Sequence, residues 1–140
     1  MMDRPLCILC DIDGTIALRG GRGPHEHDKS MEDAPNWPVI QLLDSVKSLG
    51  ALILISGRKE SNRDVTEYWL RTHRILEYRE LLLMRKDGDN RADEIVKREI
   101  YEKRIAPGYR VLCAIDDRNK VVKMWREVGL LCLQVADGDF

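Results

Sequence analysis

Short apolar runs alternate along this chain with longer stretches whose apolar residues recur every three or four positions, the pattern of alternating strands and helices. The short runs fall at 6–10, 51–55, 81–84, 110–115 and 130–135. Between them, 37–49 carries Val39, Ile40, Leu42, Leu43, Val46 and Leu49 at helical spacing, with Gly50 as a stop signal. A second helix is predicted over 62–74, with Ser61 as N-cap and Val65, Tyr68, Trp69 and Leu70 facing the core. Further helices are predicted over 91–105 and 119–128. Strands joined through helices run parallel and share one set of carboxyl ends. The expected fold is α/β: a Rossmann-like open, mainly parallel five-stranded sheet with helices on both faces. Residues 17–36, rich in Gly, Arg, charge and Pro, read as one long loop, which in a compact domain is functional or disordered. No internal repeat or domain linker interrupts the pattern, so 1–140 is read as a single domain without a large cap.

With 140 residues, 44% hydrophobic and 34% charged, the chain suits one globular core. A net charge of -1 excludes binding to nucleic acid by global charge and requires any polyanion to be gripped locally. Cys7, Cys10, Cys113 and Cys132 each sit in an apolar run and read as core thiols. Cys7 and Cys10 lie an odd number of strand positions apart, so they point to opposite faces and do not form half a zinc site. No signal peptide or membrane span is evident, and a reducing, cytoplasmic setting is expected.

The chemistry gathers where strands stop. The first run ends in Asp11-Ile-Asp13-Gly-Thr15, with two carboxylates two residues apart above a glycine turn. Like charges this close repel, and a hard cation with oxygen ligands relieves them, so Mg2+ is the expected partner. The same residues are also common turn formers. The second run ends in Ser56-Gly57-Arg58, offering a hydroxyl, close backbone N–H groups and a guanidinium to a phosphate. The fourth ends in Asp116-Asp117, which would equally serve as a helix cap. Asp93 and Lys97 are four apart on a helix, the spacing of a solvated surface pair. Arg19 and Arg22 face either an anion or solvent. In an open α/β sheet, ligands bind beyond the carboxyl ends, so these groups converge on one crevice.

The ordered set Asp-x-Asp-Gly-Thr, Ser-Gly-Arg, Lys and Asp-Asp resembles the haloacid dehalogenase superfamily of phosphohydrolases. More narrowly, the chain resembles the 3'-phosphatase domain of the T-even phage polynucleotide kinase-phosphatases. The match is carried by Asp11-Ile-Asp-Gly-Thr15, Gly21-Arg-Gly-Pro24, Ser56-Gly-Arg58, Gly88-Asp-Asn-Arg-Ala-Asp93, Lys97, Ile105-Ala-Pro107, Ala114-Ile-Asp-Asp-Arg118, Val121-Val-Lys-Met-Trp125 and Gln134-Val-Ala-Asp-Gly-Asp-Phe140. The resemblance implies a Mg2+-dependent phosphatase of 3'-phosphorylated DNA or RNA ends, with little sequence preference. It implies Asp11 as nucleophile, Asp13 as acid and base, and Ser56, Gly57, Arg58, Lys97 and Arg22 around the phosphate. Asp93 would support Lys97. Mg2+ would sit on the Asp11 carboxylate, the Asp13 carbonyl and Asp116, with Asp117 nearby. The upstream kinase of the phage protein is marked by a Gly-x-x-x-x-Gly-Lys-Ser/Thr loop, which this sequence lacks, so kinase activity is not expected. A small-molecule phosphatase and a phospho-accepting receiver module are the alternatives. The receiver is disfavoured by Asp13, since a switch has no use for an acid that drives hydrolysis. Monomer and homodimer stay open.

Overall fold

The computed structural model describes residues 3–75 and 81–140. The chain runs β1 (Leu6–Cys10), β2 (Ala17–Leu18), β3 (Ala34–Pro35), α1 (Trp37–Val46), β4 (Ala51–Lys59), α2 (Arg63–Thr72), β5 (Leu81–Arg85), α3 (Asp93–Ile100), β6 (Arg110–Asp116), α4 (Asn119–Glu127) and β7 (Cys132–Gln134). Five strands form a parallel sheet in the order β5-β4-β1-β6-β7. β1 is therefore central, with the chain leaving it first to one side and later to the other. Its carboxyl end is the topological switch point at which such sheets hold ligands.

Alternation along the strands divides the core between the two faces. Ile8 and Cys10 of β1 pack with Val39 and Leu43 of α1 and with Trp69 and Leu70 of α2. Cys7 and Leu9 face the other way, toward Val121, Val122, Met124 and Trp125 of α4 and the end of the α3 helix. The α/β sandwich expected from the sequence is the one observed, and all four cysteines are free and buried. Among the described residues no helix is long and apolar enough to cross a membrane.

Several boundaries depart from the sequence reading, each for a local reason. Residues 17–36 are not one open loop. β2 and β3 pair as an antiparallel ribbon, and a 3-10 turn at His27–Glu32 fills its tip, forming a small flap over the end of β1. Its polarity hid this structure, because hydrogen bonds and ion pairs order it more than an apolar stripe does. β4 continues four residues beyond its apolar run. Ser56 is aligned with Met84 and Lys59 with Arg85, so Gly57 and Arg58 bulge out of register. Such a bulge re-aims a side chain at a sheet edge. Ser61 is not an N-cap: its N–H donates to Asp87 Oδ1 at 3.0 Å from inside a 3-10 turn, and α2 starts at Arg63. The 91–105 helix begins at Asp93 and ends as a π-helical turn at Tyr101–Ile105.

Candidate active site

Beyond β1 the backbone turns at once. The Ile12 carbonyl accepts the N–H groups of Thr15, Ile16 and Ala17, and Gly14 takes φ +80°. A Cβ on Gly14 would lie 2.2 Å from Asp117 Oδ2, so glycine is required both by the left-handed backbone and by the carboxylate pressed against it. This turn places Asp11 and Asp13 on the wall of one cleft of about 530 Å3 but in different surroundings.

Asp11 belongs to an acidic half. Lys97 Nζ donates to Asp11 Oδ1 at 2.8 Å and to Asp116 Oδ2 at 3.2 Å, and lies 3.5 Å from Asp93 Oδ2. Lys97 is 1% exposed, so the solvated-pair reading of Asp93 and Lys97 is overturned. Burial alone would lower the Lys97 pKa, but Asp11, Asp116 and Asp93 override it and hold the ammonium charged. Thr15 Oγ1 lies 3.1 Å from Asp11 Oδ2 and 3.2 Å from Asp117 Oδ1, bridging the two carboxylates. Asp116 Oδ1 accepts the N–H groups of Asp117 and Arg118. Burial, and then the neighbouring Asp116, push Asp11 well above the ordinary carboxylate range, and Asp117 rises for the same reasons.

Asp13 belongs to an arginine half. Arg58 grips it with Nε at 2.9 Å and Nη2 at 2.6 Å, and Arg22 Nη2 adds a third bond at 2.8 Å. Burial would raise the Asp13 carboxyl, but the Arg58 hydrogen bonds and charge, with His27 and Arg22, hold it below its usual value. Both arginines are buried and lean on Asp33, which the sequence reading missed. Arg22 donates to Asp33 through Nε and Nη2 at 2.8 Å each, and Arg58 Nη2 lies 3.4 Å away. Ser30 and Thr66 hydroxyls accept from Arg58 Nη1, and Trp69 Nε1 donates to the Asp33 carbonyl.

The structure thus brings together Asp11, Asp13, Arg22, Arg58, Asp93, Lys97, Asp116 and Asp117. Gly57 lines the cleft, whereas Ser56 is fully buried behind it with its Oγ accepting the Arg58 N–H at 3.1 Å. Arg19 is exposed and takes no part. Arg85 was also missed: it caps the end of β5, bonding the Gly57 and Arg91 carbonyls and pairing with Asp93 at 3.3 Å. The rule that ligand groups gather at strand ends would have found it. A larger hollow of about 800 Å3 beside the start of β4, bounded by Trp37 and Ile75, contains none of these groups and is not the chemical centre.

Oxygens of Asp11, Asp116 and Asp117 all lie within 4.8 Å of one another. Three buried carboxylates against one ammonium leave an excess of negative charge, and an all-oxygen donor set suits a hard divalent cation such as Mg2+. The Asp13 carboxylate is outside this cluster, committed to the arginines.

A baculoviral protein from Autographa californica nuclear polyhedrosis virus, named "Putative bifunctional polynucleotide kinase/RNA ligase", is 29% identical over 132 residues, covering 90% of this chain and 18% of that protein. A chain in the solved Pnkp1/Rnl/Hen1 complex superposes with a TM-score of 0.92 at 42% identity, covering 98% of this chain and 48% of that one. A second structure, of the Pnkp1/Rnl/Hen1 RNA repair complex, gives the same score and identity and is covered over 44% of its length. The chain therefore spans less than half of each of these relatives. The family described as the polynucleotide kinase PNKP phosphatase domain matches residues 5–140, and the chain belongs to this family of haloacid dehalogenase-type phosphatase domains.

Proposed function

We propose that the chain is a Mg2+-dependent polynucleotide 3'-phosphatase. The observation that carries this reading is the division of the Asp11-x-Asp13 pair: one carboxylate is set against Lys97 and the acidic cluster, the other against two arginines, and both face one cleft. Asp11 attacks phosphorus, forming a P–O bond to its carboxylate as the bond to the sugar oxygen breaks. Asp13 gives its proton to the departing sugar hydroxyl, then takes one from the water that cleaves the aspartyl-phosphate. Asp11 is regenerated and inorganic phosphate leaves.

The transferring phosphoryl group is highly charged, so catalysis is mainly positioning and charge stabilisation. Lys97 orients Asp11, and Arg22, Arg58 and the Gly57 backbone receive phosphate oxygens. Ser56 acts through the Arg58 backbone. Asp93 holds Lys97 and Arg85 in place. Asp11, Asp116 and Asp117 would hold Mg2+, whose charge would offset that of the phosphate oxygens. Similarity to members of an RNA repair complex and to a protein named as an RNA ligase supports RNA ends as substrate and an end-joining activity as partner.

The test is phosphate release from a 3'-phosphorylated oligonucleotide beside its 5'-phosphorylated isomer and an aryl phosphate, with Mg2+ and with chelator. Release confined to the 3' end and lost with chelator is expected. Activity on aryl phosphate alone indicates a small-molecule phosphatase, and a stable Asp11 phosphate without turnover indicates a receiver.

A further inference from the structure

One wall of the cleft carries a group that phosphate transfer does not use. After β7 the chain runs back across the site. The Val135 N–H donates to the Asp116 carbonyl at 3.1 Å, the Asn119 N–H to Gly138 O at 2.8 Å, and the Phe140 N–H to Gly138 O at 3.0 Å. Gly138 is pressed so close that a Cβ there would lie 2.0 Å from the Asp117 carbonyl oxygen and 2.7 Å from Arg118 Cα. No side chain fits, and the segment lies directly on the Asp116-Asp117-Arg118 turn.

This path delivers Phe140, the chain's one phenylalanine, to the cleft that Asp11 and Asp13 line. Arg118 Nε donates to the Phe140 carbonyl at 2.7 Å, and the Arg118 guanidinium carbon stands 5.0 Å from the ring centroid. Arg118 Nη1 also lies 3.8 Å from Asp93 Oδ2, which ties the ring to the Lys97 network. Yet Phe140 is 59% exposed, the one large apolar side chain among the described residues of an otherwise polar cleft. An aromatic ring backed by a guanidinium, and left open to solvent beside a phosphate site, has the form of a stacking platform.

We infer that Phe140 stacks on the nucleobase of the phosphorylated terminal nucleotide. The inference rests on the 3'-phosphatase reading and adds the part of the substrate that reading leaves ungripped. Every base offers a π face, so the contact rewards a nucleotide end without selecting a sequence. Because Phe140 touches the base and not the reacting atoms, it is a positioning residue whose loss acts on KM.

The test compares a 3'-phosphorylated oligonucleotide with the same strand lacking its terminal base, using wild type, Phe140→Ala and Phe140→Trp, with melting temperatures measured alongside. Phe140→Ala is expected to raise KM for the base-bearing end about 5- to 100-fold. It should leave kcat and KM for the abasic end near wild type, and Phe140→Trp should restore binding. An unchanged KM in Phe140→Ala, or an equal loss on both substrates, overturns the platform while leaving the phosphatase standing. Failure of the wild type to release phosphate from either 3' end, with turnover of small phosphates only, overturns both.

Discussion

Replacing Asp33 by Asn tests the arginine half of the site without touching a group that meets substrate. The Asp33 side chain is fully buried, makes two 2.8 Å bonds to Arg22 and stands 3.4 Å from Arg58, itself 1% exposed. Removing one partner of a buried ion pair leaves an uncompensated charge and costs about 3–5 kcal/mol. Asp13 still pairs with both arginines and is 28% exposed, so water reaches that side of the network, and the low end, about 3 kcal/mol, is expected. A fold of this size has about 5–15 kcal/mol to lose, so the variant still folds.

Urea unfolding followed by circular dichroism should show the midpoint falling by about 1–2 M with an unchanged slope. In a cycle with Arg22→Met, the double variant should be less destabilised than the sum of the singles by about 1–3 kcal/mol, because the guanidinium that lost its Asp33 carboxylate is then gone as well. A midpoint within about 0.3 M of wild type, together with unchanged kinetics, would show that Asp33 does not hold the arginines.

Asp11→Asn should abolish phosphate release while leaving the melting temperature unchanged or higher, because it removes a buried carboxylate that Asp116 repels; wild-type-like release would sink the nucleophile assignment. The Asp11 carboxyl is raised in the fold above its ordinary 3.8, so in a window opening near that value the folded chain retains a proton the unfolded chain has lost, and stability falls as pH rises. Mg2+ would bind the deprotonated form, so at 100 times its Kd it should stabilise the fold by about 2.7 kcal/mol at pH 7.5 and by less at pH 5, where protons compete, read as a larger gain in melting temperature at the higher pH; equal gains at the two pH values would contradict the carboxylate site. Lys59 lines the cleft with no carboxylate within ion-pair distance among the described residues, and Lys59→Ala should lower kcat/KM for oligonucleotides and reduce the salt slope by about one, leaving small phosphates unaffected; an unchanged slope would place Lys59 away from the strand.

The strand ends were legible because two separate signals agree there: an apolar run gives the strand, and the parallel sheet puts all its carboxyl ends on one edge. Asp11, Asp13, Arg58, Asp116 and Asp117 could be gathered in that way. Lys97 was less legible, since i, i+4 spacing to Asp93 describes a solvated pair as well as a buried one, and only its depth in the fold separates them. Asp33 left no local mark. It is one acid in a polar stretch, made important by two guanidiniums that arrive from 11 and 25 residues away. Periodicity reports burial of apolar faces, and a flap held by ion pairs has none to report.

The two carboxylates facing the arginines have different work under the proposed reaction. An acid gripped by two guanidiniums is held as a carboxylate, and a carboxylate has no proton to give. A phosphate entering the cleft competes for the same N–H groups, and as Arg58 and Arg22 turn their bonds toward it, Asp13 loses the charges that depress its pKa and can take up the proton it must deliver. That exchange would leave two buried guanidiniums without fixed direction if Asp13 were their only anchor. Asp33 supplies the second anchor, and Arg22 Nη2 already bonds both carboxylates at 2.8 Å, so the guanidinium need not move when one partner is exchanged. In Asp33→Asn the arginines would keep Asp13 as their carboxylate partner and hold it harder as a carboxylate. The step in which the sugar oxygen is protonated should then slow, and kcat for a substrate with a poor leaving group should fall further than kcat for an aryl phosphate, whose leaving group needs little protonation.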